Sequence, residues 1–346
     1  MAEPDANWVT LLAANDRRGG TSAARRKAPE ELIWKVALPD GVRSSPILHD
    51  GVVYVTCRDG HLYAFDGKTG RERWKFRADA ASDSTPSISG DVVLFGCDDG
   101  GVYAVNRTSG RLQWKAEGQG AVWTSPTVRS DCVYAGGTDG SFRALDRHTG
   151  KVKWSRQLDG RVCSTAYATD PLVYFGCSDG SIRAVESASG KDAWIHQTED
   201  GVVSSPALVD GMVLAGSEDS FFYALDAGSG KVRWKFETGL GIVSSPAAGA
   251  GKVFFGGKDG HVYALNPIDG REVWKSDSLR TLTAPPVAAE SIVCMQAFYG
   301  ATEAFDATTG ERLWRANLGG SLQSVPILTE DAIYLATYTG VIYALR

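Results

Sequence analysis

Short apolar segments alternate with polar turn sequences along almost the whole chain. Residues 41–80, GVRSSPILHDGVVYVTCRDGHLYAFDGKTGRERWKFRADA, show the pattern. Four apolar segments, SSPIL, GVVYVTC, HLYAFD and RERWKF, are separated by the turn sequences HDG, RDG and GKTG. Each segment is about six residues long, which suits a strand better than an amphipathic helix. The pattern therefore predicts four antiparallel strands in this stretch.

The same unit recurs along the chain without an insertion. A tryptophan returns every 40 residues, at Trp34, Trp74, Trp114, Trp154, Trp194, Trp234, Trp274 and Trp314. Columns of alanine (from Ala64) and glycine (from Gly70) keep the same period. Because four strands in about 40 residues make one blade of a β-propeller, the repeat predicts an all-β fold of this architecture.

The positions of the units give the number of blades. Full units begin at 41, 81, 121, 161, 201, 241 and 281, and an eighth begins at 321 but stops at Arg346 after its third strand. The missing fourth strand is ELIWKVAL, residues 31–38, where Trp34 falls in the tryptophan column. We predict an eight-bladed β-propeller, four antiparallel strands per blade, closed by this N-terminal strand. Residues 31–346 form one domain, and residues 1–30 form an N-terminal extension.

The recurring residue types have a physical reason. The large tryptophan is predicted to fill the space between blades and to donate its indole N–H to a backbone carbonyl of the neighbouring blade. Glycine at the third turn accommodates a positive φ because it has no Cβ. We therefore interpret the tryptophan column as structural.

These residues also carry a family resemblance. AFDGKTGRERW (64–74) and ALDRHTGKVKW (144–154) resemble the tryptophan-docking motif of the pyrroloquinoline-quinone (PQQ)-like repeat propellers. The resemblance covers residues 31–346 and implies an eight-bladed ring. That family includes quinoprotein alcohol dehydrogenases and non-enzymatic BamB-type outer-membrane assembly proteins, so the fold alone leaves the function open.

The resemblance also implies what a quinoprotein site would contain: a disulfide between adjacent cysteines, a calcium ion held by Glu, Asn and the quinone, and a catalytic Asp. No two of the six cysteines are adjacent; they are Cys57, Cys97, Cys132, Cys163, Cys177 and Cys294. No motif matches a residue to the calcium ligands or to the base. We predict no cofactor and no metal site, keep PQQ with calcium as the alternative, and assign no catalytic residue.

Composition limits the kinds of partner that the protein is expected to bind and the compartment in which it is expected to work. The net charge of −5 and the pI near 5.6 lack the basic footprint of a nucleic-acid binder. No run of 18 apolar residues is present, so no transmembrane segment is expected. Scattered cysteines suit free thiols, and the first residues lack the pattern of a secretory leader. We expect a cytoplasmic monomer; a periplasmic or secreted protein whose leader has been removed is the alternative.

One column, at the mouth of each first strand, is not dictated by the repeat and is free to vary for function. It reads Arg43, Asp83, Trp123, Cys163, Val203, Val243, Thr283 and Gln323. We predict a ligand-binding site on this funnel rim, formed by Arg43, Asp83, Trp123, Thr283 and Gln323. Trp123 either stacks on a planar ligand or a partner's side chain, or plugs the central channel. Arg43 either holds a carboxylate or is solvated.

A second set of residues breaks the repeat on the same rim. Phe298, Tyr299 and Tyr338 stand where other blades carry polar turn residues. Clustered exposed aromatic side chains often mark a partner site, whereas drift of single blades is the alternative explanation.

The absence of a catalytic motif favours a non-catalytic binding platform or scaffold for a protein, a peptide or a small ligand. The alternative is a PQQ- or small-molecule-binding protein, including a divergent quinoprotein-type or biosynthetic enzyme with its site in the funnel. The sequence leaves catalysis open and favours a protein that is not an enzyme.

Overall fold

Eight sheets form the structure. The computed structural model describes residues 28–278, 281–289, 291–297, 301–317 and 324–346. Within these ranges the chain forms 32 strands and no helix, in eight four-stranded antiparallel sheets. The predicted eight-bladed propeller is confirmed. No helix of the described ranges is long and apolar enough to cross a membrane.

The strands occupy four concentric positions in the ring. The first strands, nearest the axis, are β2 (Ile47–His49), β6 (Ser87–Ser89), β10 (Thr127–Arg129), β14 (Tyr167–Ala168), β18 (Ala207–Val209), β22 (Ala247–Gly249), β26 (Val287–Ala288) and β30 (Ile327–Leu328). The second strands are β3 (Val52–Thr56), β7 (Val92–Gly96), β11 (Cys132–Gly136), β15 (Leu172–Gly176), β19 (Met212–Gly216), β23 (Lys252–Gly256), β27 (Ile292–Ala297) and β31 (Ile333–Ala336). The third strands are β4 (His61–Asp66), β8 (Val102–Asn106), β12 (Ser141–Asp146), β16 (Ser181–Glu186), β20 (Phe221–Asp226), β24 (His261–Leu265), β28 (Ala301–Asp306) and β32 (Val341–Leu345). The outer strands are β5 (Glu72–Arg77), β9 (Leu112–Ala116), β13 (Val152–Gln157), β17 (Asp192–Gln197), β21 (Val232–Glu237), β25 (Glu272–Asp277), β29 (Arg312–Asn317) and β1 (Leu32–Ala37).

The two ends of the chain close the ring in blade 8. Strand β1 pairs antiparallel with β32, which places Trp34 opposite Ala344. The N–H groups of Glu30 and Glu31 both donate to the carbonyl of Arg346, at 2.8 and 2.9 Å. The predicted closure by the N-terminal strand is confirmed. Residues 1–27 of the predicted extension lie outside the described residues.

Outer-strand tryptophans dock onto the blade that follows. The indole Nε1 of seven of them donates at 2.8–3.1 Å to a backbone carbonyl 33 residues further along. Trp34 donates to Gly67, and Trp194 donates to Ala227. Trp314 is buried between blades 7 and 8. The predicted acceptor, a carbonyl of the neighbouring blade, is the one observed.

The glycine of each third turn lies against the face of the tryptophan that docks there. Gly230 has φ +69°, and a Cβ built on it would lie 2.6 Å from the Trp194 indole. The other six glycines of this column have φ between +67° and +75° and face the preceding blade's tryptophan in the same way. Glycine is therefore needed for its backbone conformation and also because the ring leaves no room for a side chain.

Buried hydroxyl groups join the first strands of neighbouring blades. The backbone N–H of Ser205 donates to Ser245 Oγ at 2.8 Å, and the N–H of Val325 donates to Ser45 Oγ at 2.8 Å. The prediction that the whole segment SSPIL forms a strand was therefore wrong, since the observed strand is shorter. Only Ile47–His49 pairs within the blade, because Ser45 bonds across to Thr85 of blade 2 and to Val325 of blade 8, and Pro46 has no N–H to donate.

The six cysteines are free thiols. Burial raises the pKa of Cys57, Cys97 and Cys294 to about 12. These side chains therefore stay protonated at neutral pH and pack as small apolar groups.

Removing one docking tryptophan should weaken the ring strongly. We expect Trp194→Ala to lower the free energy of unfolding by about 3–5 kcal/mol, because it leaves a cavity and removes a buried hydrogen bond. Gly230→Ala should also destabilise, since its methyl group would meet the indole. The two losses should be less than additive in the double variant, because the smaller side chain at 194 makes room for the methyl group.

Thermal and denaturant unfolding measure these changes. Ile268→Ala is the control, because Ile268 is 75% exposed and should leave the midpoint unchanged. An unchanged midpoint in Trp194→Ala would show that the tryptophan column is not part of the core.

Candidate binding site at the funnel mouth

Two columns of side chains meet at one rim of the ring. The first is the variable column that begins at Arg43. The second follows the second strand of each blade and reads Arg58, Asp98, Thr138, Ser178, Glu218 and Lys258 in blades 1 to 6 and Tyr338 in blade 8. The backbone N–H of Arg58 donates to Gly41 at 3.0 Å, and that of Asp98 donates to Ala81 at 2.8 Å. These bonds hold the two columns side by side, so the funnel mouth carries two rows of side chains.

An arginine pair shares one carboxylate between blades 1 and 2. Arg58 Nη1 lies 2.9 and 2.7 Å from the two carboxylate oxygens of Asp83. Arg43 Nη1 donates to the same carboxylate at 3.1 Å. The Asp83 side chain is 9% exposed, whereas those of Arg43 and Arg58 are 36% and 31% exposed. Arg43 is thus not simply solvated, since its guanidinium donates to Asp83.

Trp123 lies over the mouth with one edge fixed. Its Nε1 donates to Asp98 Oδ1 at 2.9 Å, and the residue is 41% exposed. Burial raises the pKa of the Asp98 carboxyl, although the hydrogen bond from Trp123 opposes that shift. The indole is held in one orientation and offers its remaining surface to solvent.

Tyr338 joins this cluster from blade 8. Arg43 Nη2 donates to the Tyr338 hydroxyl at 2.6 Å, and the guanidinium carbon lies 4.9 Å from the ring centroid. The hydroxyl and Asp83 keep the pKa of Arg43 above its ordinary value. Tyr338 is 38% exposed. Phe298 and Tyr299, predicted with it as an aromatic patch, lie outside the described residues.

The rest of the mouth is different in character. In blades 4 to 6 the first column holds Cys163, Val203 and Val243, which are all half-buried. The second column has an ion pair there, with Lys258 Nζ 2.6 Å from Glu218 Oε2. Thr283 is half-buried in blade 7, and Gln323 lies outside the described residues. Among the described residues of the mouth, the exposed aromatic rings and the arginine pair therefore lie on the arc from blade 8 through blade 3.

The structure unites three of the predicted site residues, Arg43, Asp83 and Trp123, with Tyr338 from the separate predicted patch. It adds Arg58 and Asp98, which the sequence analysis missed. Their signal was available, because the column after the second strand also varies from blade to blade, whereas the column that follows it is aspartate in six of the eight blades. We refer to Arg43, Arg58, Asp83, Asp98, Trp123 and Tyr338 as the mouth cluster.

The acidic residues of the second turns have structural partners. Asp59 accepts hydrogen bonds from the backbone N–H of His61 at 3.0 Å and from the hydroxyl of Tyr63 at 2.6 Å. Asp259 bonds His261 and Tyr263 in the same way. These bonds tie each turn to its third strand. In the described part of the chain, no three His, Cys, Asp or Glu side chains come together as metal ligands.

Comparisons with known proteins agree on the fold. The family described as outer membrane protein assembly factor BamB matches residues 9–123, 99–203 and 197–346. BamB from Moraxella catarrhalis is a similar solved structure, with 19% identity, a TM-score of 0.81, and coverage of 91% of this chain and 99% of that one. Quinohemoprotein alcohol dehydrogenase from Comamonas testosteroni has 15% identity and a TM-score of 0.82, covering 99% of this chain and 81% of that one. The computationally designed Ika8 protein has 18% identity and a TM-score of 0.80, covering 91% and 99%. No curated protein matches the chain in sequence. At these identities, similarity to the solved structures shows a shared fold alone.

Replacing the carboxyl that holds Trp123 should change how stability depends on pH. The folded pKa of Asp98 is raised, so its contribution to stability is fully present below the unfolded pKa and is lost as pH rises through the folded pKa. Asp98→Asn keeps an acceptor for Trp123 but does not titrate. We therefore expect the stability of the variant relative to wild type to improve from acidic to neutral pH.

Urea unfolding at a series of pH values measures this difference. Asp91→Asn is the control, because Asp91 is an exposed aspartate on a first turn of the same blade. A relative stability of Asp98→Asn that stays constant across the range would contradict the assignment of a buried charge at Asp98.

Proposed function

The chain belongs to the family of outer membrane protein assembly factor BamB, and we propose that it is a non-catalytic platform that binds a protein or peptide at its funnel mouth. The observation that carries the proposal is the pair of exposed aromatic rings, Trp123 and Tyr338, each held at its polar atom by a neighbouring side chain. The proposal rests on the binding energy that exposed aromatic side chains supply in protein interfaces.

Exposed aromatic side chains supply much of the binding energy in protein interfaces. Their contribution is largest when they are ordered before binding, because less conformational entropy is then lost. Trp123 is ordered by Asp98, and Tyr338 is ordered by Arg43. The mouth cluster therefore resembles a preformed anchor site.

The charges of the mouth cluster favour a partner that is not simply an anion. Both arginines point at Asp83, and Arg43 also bonds the Tyr338 hydroxyl. A ligand carboxylate beside the arginine pair would meet the negative charge of Asp83 at close range. Apolar or aromatic side chains of a partner can pack on the exposed rings while the arginine pair stays in place.

A phage-displayed library of random peptides tests this proposal. We expect selected peptides to bind the wild-type ring and to lose roughly tenfold or more in affinity with Trp123→Ala or Tyr338→Ala, which is the loss expected from removing an interface anchor. Calorimetry measures the affinity, and circular dichroism confirms that the variants fold.

Ile268→Ala is the matched control, because it removes an exposed apolar side chain away from the mouth cluster. Peptides that bind Trp123→Ala, Tyr338→Ala and wild type equally well would place recognition elsewhere on the ring. Failure of the library to yield any peptide that competes at the mouth would contradict the proposal.

The exposed face of Trp123 also favours a second candidate, a planar small molecule such as PQQ. The described residues do not fit the quinone site that the resemblance implies in one respect, because that site has a disulfide between adjacent cysteines and the six cysteines here are separated in sequence and free. Stacking on Trp123 without a metal is the form of this candidate that fits the residues present.

Titration with PQQ, with and without calcium, separates the two candidates. Tryptophan fluorescence and calorimetry report saturable binding. Binding that is lost in Trp123→Ala would favour the small-molecule candidate, whereas no saturable binding would leave the protein-binding platform as the better proposal. The cytoplasmic location expected from the sequence stays a prediction.

A further inference from the structure

The two faces of the ring differ in charge. The mouth face consists of the second turn of each blade (residues 58–60 in blade 1) and the connection from each outer strand to the next first strand (residues 78–83 after blade 1). Its described residues include fourteen acidic and four basic side chains. On the opposite face, the first turns (residues 49–51 in blade 1) and the third turns of blades 1 to 7 (residues 66–71 in blade 1) include fourteen acidic and ten basic side chains among the described residues. The excess of negative charge is therefore larger on the mouth face.

Six of these acids form one column of the second turns: Asp59, Asp99, Asp139, Asp179, Asp219 and Asp259. Burial favours a higher pKa for the Asp59 carboxyl, but hydrogen bonds from the Tyr63 hydroxyl and the His61 N–H outweigh it and hold that pKa below its ordinary value. The pKa of Asp99 and that of Asp259 are lowered in the same way. These three carboxyl groups therefore keep their negative charge at neutral pH, although their hydrogen bonds are structural.

The connections add exposed acids whose surroundings differ around the ring. Asp79, after blade 1, is paired with Lys115 at 2.9 Å. Asp159 and Glu199 lie on the connections into blades 4 and 5, and both are exposed. Within the part of the chain that the structure describes, neither takes part in an ion pair. The charges of Asp159 and Glu199 are therefore available to a partner.

An apolar wall lies inside this part of the rim. The variable column of the funnel holds Trp123, Cys163, Val203 and Val243 in the consecutive blades 3 to 6. Trp123 is 41% exposed, and the other three side chains are half-buried. The connections that carry the unpaired acids lead directly into these positions. The accessible apolar wall is therefore bordered by carboxylates.

Lysine and arginine side chains match both features of this surface. Their stems are apolar and can pack on the wall, while the charged ends reach the carboxylates of the rim. The face of an indole also attracts a cation, and the Trp123 ring is held in place by its bond to Asp98. The arginine pair of the mouth cluster is partly neutralised, because Arg43 and Arg58 both donate to Asp83.

We propose that the partner at the mouth face is a basic segment of a protein, in which lysine or arginine side chains flank one or more apolar side chains. The cationic groups lie against Trp123 and the carboxylates of the rim, and the apolar side chains pack on Val203 and Val243. This inference rests on the proposed function, a platform that binds a protein or peptide, and adds the chemistry of what is bound. An acidic segment would meet like charge over most of the face, which slows association.

Two phage-displayed peptide libraries test the sign of the partner's charge. The first contains lysine and arginine but no aspartate or glutamate, and the second contains aspartate and glutamate but no lysine or arginine. A selected peptide is assigned to the mouth when Trp123→Ala weakens its binding by about tenfold or more. We expect peptides of this kind from the basic library and none from the acidic library.

Association kinetics of the selected basic peptides test whether the rim supplies the attraction. Asp159→Lys combined with Glu199→Lys should lower the association rate constant by about tenfold at low salt, because the charges that steer the peptide are reversed. The difference from wild type should shrink at about 0.5 M NaCl, where exposed charges are screened. Surface plasmon resonance measures the rate constants, and thermal unfolding confirms that the variant folds.

Asp210→Lys combined with Asp331→Lys is the matched control. Both aspartates are exposed on first turns of the opposite face, so this variant has the same change in net charge without altering the mouth face. We expect its association rate constant to stay close to that of the wild type.

The outcomes distinguish a failure of this inference from a failure of the proposed function. Peptides that depend on Trp123 but come equally from both libraries overturn the basic partner and leave the binding platform standing. So does an association rate that the two double variants lower equally, or one that does not change with salt. If neither library yields a peptide that depends on Trp123, the platform at the mouth is contradicted, and the basic partner with it.

Discussion

The packing of each outer tryptophan on a glycine of the next blade is the constraint on which the ring depends. The indole covers the glycine of the third turn, and its N–H bonds a carbonyl three residues before that glycine. Both contacts require the next blade at one distance and angle. The length of the third turn is therefore constant along the chain, because an insertion there would separate the glycine from the carbonyl.

Closure repeats this interaction with the two chain ends. Trp34 comes from the first described strand and docks onto blade 1, while β1 completes the sheet of blade 8. The first strands are joined near the axis by buried serine and threonine hydroxyls. With the periphery and the axis both held, the funnel mouth can vary in sequence without a loss of the ring.

This division explains why related rings serve unlike purposes. BamB and a quinohemoprotein alcohol dehydrogenase share the fold of this chain at low identity, and a shared fold does not fix a shared function. Here the mouth cluster occupies one arc of the rim, and the outer strand of blade 4 lacks the lysine or arginine that every other outer strand carries. A repeat that is regular in its core is therefore asymmetric in its surface chemistry.

The sequence by itself determined the number of blades, the four strands in each, the closing strand and the docking role of the tryptophans. Each of these features can be read from one 40-residue unit and its repetition along the chain. It also singled out Arg43, Asp83, Trp123 and Tyr338 as departures from the repeat. Only the tertiary structure decided how they combine. Arg43 meets Tyr338 across 295 residues, and Trp123 meets Asp98 of the preceding blade. The extent of the first strands was likewise decided by bonds between blades. Such contacts depend on the curvature of the closed ring, which brings residues together that no pattern along the chain relates.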